Sequence, residues 1–477
     1  MKKILFVTSE VHPLIKTGGL ADVSGSLPKA LTELGEDVRI VLPNYQAIKT
    51  HEAIYYKSTL KINGSDVNIL ETRLPGTGAV IWLVDYPKFF KLPGNPYHDE
   101  LGNPWANSAE RFALFCRAAV EIAMNRGYLD WKPDIVHCND WQSGLVPALL
   151  SLEQDRPATL FTIHNLAYQG LFPKTVNFSL DLPKQLWESD GTEFHGKLSF
   201  LKSGLAYSDR ISTVSPTYAK EIQTAEFGCG LEGLLSYRKD FLSGIINGVD
   251  TDHWNPGTDP ILSANFNHLT LNKKPLNKAA LQEKLSLPVN KKIPVFSLIS
   301  RLVEQKGIDI VLDCLPEMLN MRLQLAILGS GNKDFEQQLS AFAKANPDKI
   351  AVRIGYDEEL AHLIEAGSDI FLMPSRYEPC GLNQMYSQLY GTIPLVNKVG
   401  GLADTVVDAL PETLGNNTAT GIVFDGASPG TLIEAIKRTL MLYSQPEAWK
   451  QLQIRGMQKD FSWKKSAQQY VELYEQI

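Results

Sequence analysis

The sequence predicts an α/β protein of two doubly wound, Rossmann-like domains. Two observations carry this. Short, largely apolar, β-branched runs recur along the whole chain, with longer amphipathic stretches between them. Parallel strands buried on both faces and linked by helices leave that pattern. The alternation lapses once, from about 247 to 292, where Pro256, Gly257, Pro260, Pro275 and Pro288 punctuate the chain, and it restarts at Pro294.

In the first half the strand-like runs are 4–7, 38–42, 80–84, 134–137, 160–163 and 211–214. In the second they are 294–299, 323–328, 350–354, 370–373, 393–396 and 422–424. Apolar residues at helical spacing mark 111–125, 308–319 and 402–410 between them. The expected domains are therefore 1–247 and 248–457, followed by a terminal segment 458–477 whose helix starts at about Trp463.

Composition narrows the function. Of the 477 residues 44% are hydrophobic and 21% charged, which excludes a chain too polar to bury a core. Lys+Arg number 46 against 53 Asp+Glu, a net charge of −7, and this disfavours a nucleic-acid partner. The five cysteines are widely spaced with no C-x-x-C pair, so neither a disulfide framework nor a zinc ribbon is signalled. A reducing compartment, the cytoplasm, is expected. Four apolar residues, Ile4 to Val7, are too few for a signal-peptide core. No run nears the roughly 18 residues that span a membrane.

Five motifs could carry chemistry. Lys16-Thr17-Gly18-Gly19 follows the first strand and opens a helix. Backbone N–H groups and a lysine there suit an anion, or form only a tight turn. The pattern Lys-x-Gly-Gly-Leu-Ala-Asp recurs from Lys16 to Asp22 and from Lys398 to Asp404. Arg301 and Lys306 follow run 294–299 and suit a diphosphate at a strand's C-terminal end, or sit in a solvated helix start with Glu304. Glu378, in Pro374-Ser375-Arg376-Tyr377-Glu378-Pro379-Cys380-Gly381-Leu382, is expected beside free helix N–H groups, with Cys380 as an alternative nucleophile. His137-Cys138-Asn139-Asp140-Trp141 and His164-Asn165 end two strand-like runs. They suit a sugar platform, a pair of structural histidines, or a zinc site of His137, Cys138, Asp140 and His164. The last choice is weak, because neighbours on a strand face opposite ways. Asp250-Thr251-Asp252 has the form of a metal-holding pair but lies in the turn-rich join.

Taken together, the segments starting at Lys16, His164, Thr213 (Thr-Val-Ser-Pro), Asn247 (Asn-Gly-Val-Asp), Ser300 and Pro374 resemble the bacterial glycogen synthases, the glucan synthase family that includes plant starch synthases. The likeness runs from residue 3 to about 465. It implies the GT-B fold, two domains facing a cleft, with an acceptor-side first domain, a donor-side second and a final helix crossing back to the first. It implies transfer of glucose from ADP-glucose to the non-reducing end of an α-1,4-glucan, with retention and with no metal or other cofactor. By the same resemblance Glu378, Arg301, Lys306 and His164 are catalytic. Lys16, Gly18, Gly19, Asp22, Asn247, Tyr356, Cys380, Gly381 and Leu382 bind the donor, and Tyr97, Asp140, Trp141 and Asn165 the acceptor. Three positions bear on it: Asn383 stands where the family has Thr, Asn139 where many bacterial members have His, and Tyr386 where many other GT-B enzymes have a second Glu. The alternatives are a GT-B transferase for another nucleotide sugar and a non-catalytic glucan- or nucleotide-sugar-binding protein.

Overall fold

The computed structural model describes residues 1–477. The chain divides into two compact units, Met1–Gly248 with Trp463–Ile477, and Val249–Ser462. Residues 458–462 thus stay with the second unit, and the terminal segment of the first begins at Trp463 rather than at 458.

The first unit holds a nine-stranded sheet, in the order Leu242–Gly244, Arg210–Thr213, Ala158–Ile163, Ile135–Asn139, Lys3–Val7, Asp37–Pro43, Val80–Asp85, Ser65–Arg73 and Tyr55–Ile62. The strands pair in parallel as far as Val80–Asp85, and the last two pairings are antiparallel. The central strand Lys3–Val7 is sealed on both faces: Ile4, Leu5, Phe6 and Val7 are all 0% exposed. The hairpin Tyr55–Ile62 and Ser65–Arg73 lies outside the predicted elements. Its turn is Asn63-Gly64, both at positive φ (48° and 77°), a backbone these two residues adopt readily. A small antiparallel sheet, Leu171–Pro173, Lys197–Ser199 and Glu193–Phe194, also lies outside them. Helix Trp463–Tyr474 buries Trp463, Ala467, Tyr470 and Tyr474 in the core of this unit.

The second unit is built on a six-stranded parallel sheet, in the order Ile350–Ile354, Gln324–Gly329, Val295–Ile299, Ile370–Met373, Ile393–Asn397 and Ile422–Phe424. One expected helix is much shorter. The stretch 402–410 is helical only within Gly400–Thr405, because Val406 is extended and Asp408 pairs with Gly421 in a β-bridge. Two adjacent β-branched residues, Val406 and Val407, favour that switch. No helix is long and apolar enough to cross a membrane. All five cysteines are free thiols, with only Cys229 exposed.

In each sheet the order reverses at one point. It falls between Ile135–Asn139 and Lys3–Val7 in the first unit, and between Val295–Ile299 and Ile370–Met373 in the second. Loops leaving neighbouring strands there run to opposite faces and leave a crevice for ligands.

Candidate functional site

The loops at these two reversal points hold most of the residues singled out in the sequence. In the first unit, the loop after Lys3–Val7 carries Glu10 into the interior, 3% exposed. Its carboxylate accepts hydrogen bonds from the backbone N–H of Thr17 and Gly18 and from the Tyr97 hydroxyl. Burial pushes Glu10 above the usual carboxylate range against these three donors. Tyr97 also bonds Ser9 Oγ at 2.9 Å, so its hydroxyl acts within the protein to position Glu10. Glu10 went unrecognised in the sequence, where Thr8-Ser9-Glu10 marks only the end of an apolar run.

The Gly-Gly motif is open. A Cβ built on Gly18 or Gly19 meets nothing within 4 Å, and neither glycine has a positive φ. Nothing in the chain's own packing demands glycine there. Gly18 caps helix Gly19–Glu33 with no side-chain hydrogen bond. Lys16 Nζ lies 2.7 Å from Asp22 Oδ1, one turn into that helix.

On the other side of the reversal, Asp140 has φ 56° and ψ 179°, a backbone region that only glycine occupies comfortably. The strain is held by its own carboxylate, which accepts from His164 N at 2.8 Å and from Asn165 N at 3.4 Å. Burial pushes this carboxyl up to about 7, opposed by those two N–H groups. The Asn165 side chain accepts from Ala167 N at 3.0 Å and shapes the same turn. His164 is neutral, since burial lowers it to about 3. Its Nε2 lies 3.0 Å from Asn139 Oδ1, and Asn139 Nδ2 donates to Val7 O at 3.1 Å. With the amide so fixed, His164 carries its proton on Nε2 and keeps the lone pair on Nδ1. Asn139, one of the departures, sets that tautomer. Trp141 packs edge-on against Phe112, centroids 5.0 Å apart, and against Phe172 and Phe200, so part of the expected platform is spent on the core. Asn247 is 6% exposed, and its Oδ1 has no partner.

His137 is structural. Its Nδ1 and Nε2 meet Tyr474 Oη and Thr162 Oγ1, each at 2.7 Å, and burial lowers it to about 3. Both ring nitrogens being engaged, the zinc set of His137, Cys138, Asp140 and His164 lacks its first ligand. A histidine held neutral costs stability as the pH falls from its unfolded value, about 6.5, toward 3, because the unfolded chain then binds the proton first. The stability difference between wild type and His137→Gln should therefore shrink by roughly 1.4 kcal/mol per pH unit between pH 6 and 4. Urea unfolding at several pH values measures it, and a constant difference would contradict the buried neutral state.

In the second unit, Lys306 ends a short 3₁₀ turn, Glu304–Lys306. Gly307 follows at φ 70°, where an added Cβ would lie 2.1 Å from Pro374 O. Glycine thus lets the loops after Val295–Ile299 and Ile370–Met373 touch. Across that contact Lys306 Nζ pairs with Glu378 Oε2 at 2.5 Å, and Ser375 Oγ donates to the same oxygen at 3.0 Å. The Glu378 side chain is 7% exposed and that of Lys306 20%. The setting of Glu378 differs from the expected one: Lys306 and Ser375 contact its carboxylate, and the next helix begins only at Asn383. Arg376 clamps the loop through a two-pronged pair with Asp309, at 2.7 and 2.6 Å. Arg301 is exposed, with Nη2 3.2 Å from Gln305 Oε1. Asn383 donates to Ile299 O at 2.8 Å, so this departure ties its helix to the strand end.

The second Gly-Gly pair differs from the first. A Cβ on Gly400 would sit 2.0 Å from Glu378 O, and one on Gly401 2.1 Å from Cys380 O. These glycines let the 378–382 loop lie against them. Cys380 is buried, and Gly381 (φ 70°) and Leu382 lead into helix Asn383–Leu389, which has no side-chain cap. Tyr356 is 76% exposed, in the loop after the edge strand Ile350–Ile354. Tyr386 is 8% exposed and stacks on Trp254. Asp250 Oδ1 accepts from Asp252 N at 3.0 Å and from His253 N, which makes Asp250-Thr251-Asp252 a turn rather than a metal-holding pair.

Comparison with known proteins agrees with the geometry. Residues 3–237 match the starch synthase catalytic domain, and residues 280–454 the glycosyl transferases group 1 family. The chain is 57% identical over 473 residues to glycogen synthase 1 of Methylococcus capsulatus, covering 99% of this chain and 96% of that one. It is 54% identical over 477 residues to the glycogen synthase of Cellvibrio japonicus, covering 99% of both. The catalytic domain of starch synthase IV from Arabidopsis thaliana, solved with ADP and acarbose, superposes with a TM-score of 0.90 at 33% identity, over 100% of this chain and 99% of that one. Sucrose-phosphate synthase from Thermosynechococcus elongatus shares the fold alone, with a TM-score of 0.61 at 17% identity over 100% of this chain and 99% of that one. With the fold, both reversal-point loops and near full-length identity in agreement, the chain belongs to the glycogen synthases, GT-B glycosyltransferases whose catalytic domain is that of the starch synthases.

Proposed function

We propose that this glycosyltransferase moves glucose from ADP-glucose to the non-reducing end of an α-1,4-glucan, with retention, and that cationic side chains rather than a metal offset the charge on the departing ADP. The observation that carries this is the Lys306–Glu378 pair at the reversal point of the second sheet, with Arg301 on the same loop as Lys306. As the bond from C1 to the diphosphate breaks, negative charge grows on ADP and positive charge on C1. Arg301 and Lys306 meet the first, and Glu378 the second. Groups already in place act without reorganisation, which is what gives them catalytic weight. In the first unit the open helix start at Gly18 and Gly19, with Lys16 and Asp22, suits the donor's phosphate side, and Asn247 is a further donor residue; in the second unit the donor residues are Tyr356 and those of the 380–382 loop. His164, neutral and fixed by Asn139, offers Nδ1 to the transferring glucose. Asp140, Trp141 and Asn165 face the acceptor, whereas Tyr97, expected beside them, acts through Glu10 on the Thr17–Gly18 backbone. Retention without a protein nucleophile has the acceptor hydroxyl attack on the leaving group's side and pass its proton to the diphosphate.

Glucose incorporation into glycogen from ADP-glucose or UDP-glucose, with and without EDTA, tests this. ADP-glucose should be strongly preferred and EDTA should leave the rate unchanged. Equal rates with UDP-glucose would overturn the donor, and collapse in EDTA the metal-free mechanism.

The two glycine pairs should respond in opposite ways. Gly19→Ala should leave the melting temperature unchanged or raised, since alanine suits a helix better, yet weaken donor binding by about tenfold, roughly the net worth of one hydrogen bond. Gly401→Ala should cost about 1–3 kcal/mol of stability, as overpacking does. Thermal melts beside calorimetric donor titrations check both.

A further inference from the structure

Outside the residues assigned above, His253, Glu358 and His362 bring one ligand atom each to within 4.8 Å of one another. They come from two places in the second unit. Glu358 and His362 are four apart on helix Glu358–Gly367 and so share one face. His253 lies in the turn that Asp250 caps. His253 Nε2 is already 3.1 Å from Glu358 Oε1.

His362 makes this cluster more than a surface ion pair. Its side chain is 1% exposed, and Nδ1 lies 2.7 Å from Asp259 Oδ2. The same Asp259 Oδ2 accepts from Tyr390 Oη at 2.7 Å, and Asp259 Oδ1 accepts from Ile261 N at 3.0 Å. An oxygen that already accepts from Tyr390 Oη accepts from the imidazole as well, so the proton sits on His362 Nδ1 and the Nε2 lone pair is left over. That nitrogen is buried and has no hydrogen-bond partner. A buried polar atom left unsatisfied costs about 1–3 kcal/mol, and this one is a ligand atom of the three-residue group. The ring is locked in place: it stacks on Trp254 at 3.9 Å and 10°, and Trp254 stacks in turn on Tyr386 at 4.0 Å and 8°. A carboxylate behind Nδ1, a fixed ring and an orphaned Nε2 in front are what metal-ligating histidines show.

We infer that His253, Glu358 and His362 form a binding site for one divalent transition-metal ion of the zinc type. Two imidazoles and one carboxylate form a donor set that zinc accepts in three-ligand sites and that magnesium or calcium, which favour oxygen, does not. Donors on one tetrahedral ion stand about 3.3 Å apart, so the group has to contract slightly. The exposed His253 and Glu358 side chains, 45% and 42%, can move to do so, while His362 stays fixed. The ion would pin the turn at 250–254 to the start of helix Glu358–Gly367.

The test uses the full chain stripped with a chelator and then dialysed. Zinc is titrated by calorimetry, and cobalt(II) by its visible absorption, in wild type, His253→Ala and Glu358→Gln. Both substitutions alter exposed side chains, so the metal-free melting temperatures should match. Wild type is expected to bind one equivalent of each metal and to melt higher with zinc. Both variants should bind at least about tenfold more weakly, since even residues behind a metal's direct ligands cost that much when lost. Absence of binding to wild type, or wild-type affinity in either variant, would overturn the site.

Discussion

Glu378→Gln is expected to lose turnover by about 10²–10³-fold while ADP-glucose and glycogen still bind within a few-fold. The substitution keeps the shape of the side chain, and its amide oxygen can still accept from Ser375 and Lys306. In the proposed mechanism it removes a full negative charge beside a glucose C1 that becomes cationic only in the transition state, so the loss falls on kcat rather than on binding. In the resting protein that charge is balanced by Lys306, whose Nζ lies 2.5 Å away. The glutamine variant leaves this ammonium facing a neutral amide oxygen, which competes for it less than the carboxylate does, so donor affinity should hold or improve. Calorimetric binding beside glucose incorporation separates the two effects. Near-normal turnover would remove Glu378 from the catalytic group.

Lys306→Ala should be damaging twice over. In the proposed mechanism it deletes a cation that answers the growing charge on ADP, for a loss in kcat of about 10²-fold or more. It also strands the Glu378 carboxylate, whose side chain is only 7% exposed. Removing one member of a buried pair costs about 3–5 kcal/mol, and the 20% exposure of Lys306 puts this case toward the low end. Arg301→Ala, at an exposed position, should match the kinetic loss at little cost in stability. The double variant Lys306→Ala, Glu378→Gln should recover much of the stability and none of the turnover. Urea unfolding and steady-state kinetics on the four proteins close the cycle. If Lys306→Ala changed only KM, its charge would serve binding and not the transition state.

Several of the twelve strand-like runs were readable because a strand buried on both faces needs an unbroken apolar stretch, the rest from their β-branched residues between helical patterns. The hairpin of Tyr55–Ile62 and Ser65–Arg73 was missed because its exposed residues break that pattern, although Asn63-Gly64 was a usable turn signal. Glu10 could not be read at all. A carboxylate after a strand looks solvated until the fold brings Thr17, Gly18 and Tyr97 around it.

The sequence by itself determined the alternation of strand and helix, the strand ends that carry the functional loops, and the motifs that tie the chain to its family. These are local properties, set by apolar period, by turn residues and by short fixed spacings. The two copies of Lys-x-Gly-Gly-Leu-Ala-Asp mark where such reading stops. As strings they are alike. In the tertiary structure Gly18 and Gly19 face open space at a helix start, whereas Gly400 and Gly401 lie against the carbonyls of Glu378 and Cys380. One pair is open to a ligand, and the other lets the chain pack against itself. Only the tertiary structure decides between them, because what a missing Cβ makes room for comes from residues distant in sequence. The same holds for His253, Glu358 and His362, whose ligand atoms converge only after helix Glu358–Gly367 meets a turn more than a hundred residues earlier.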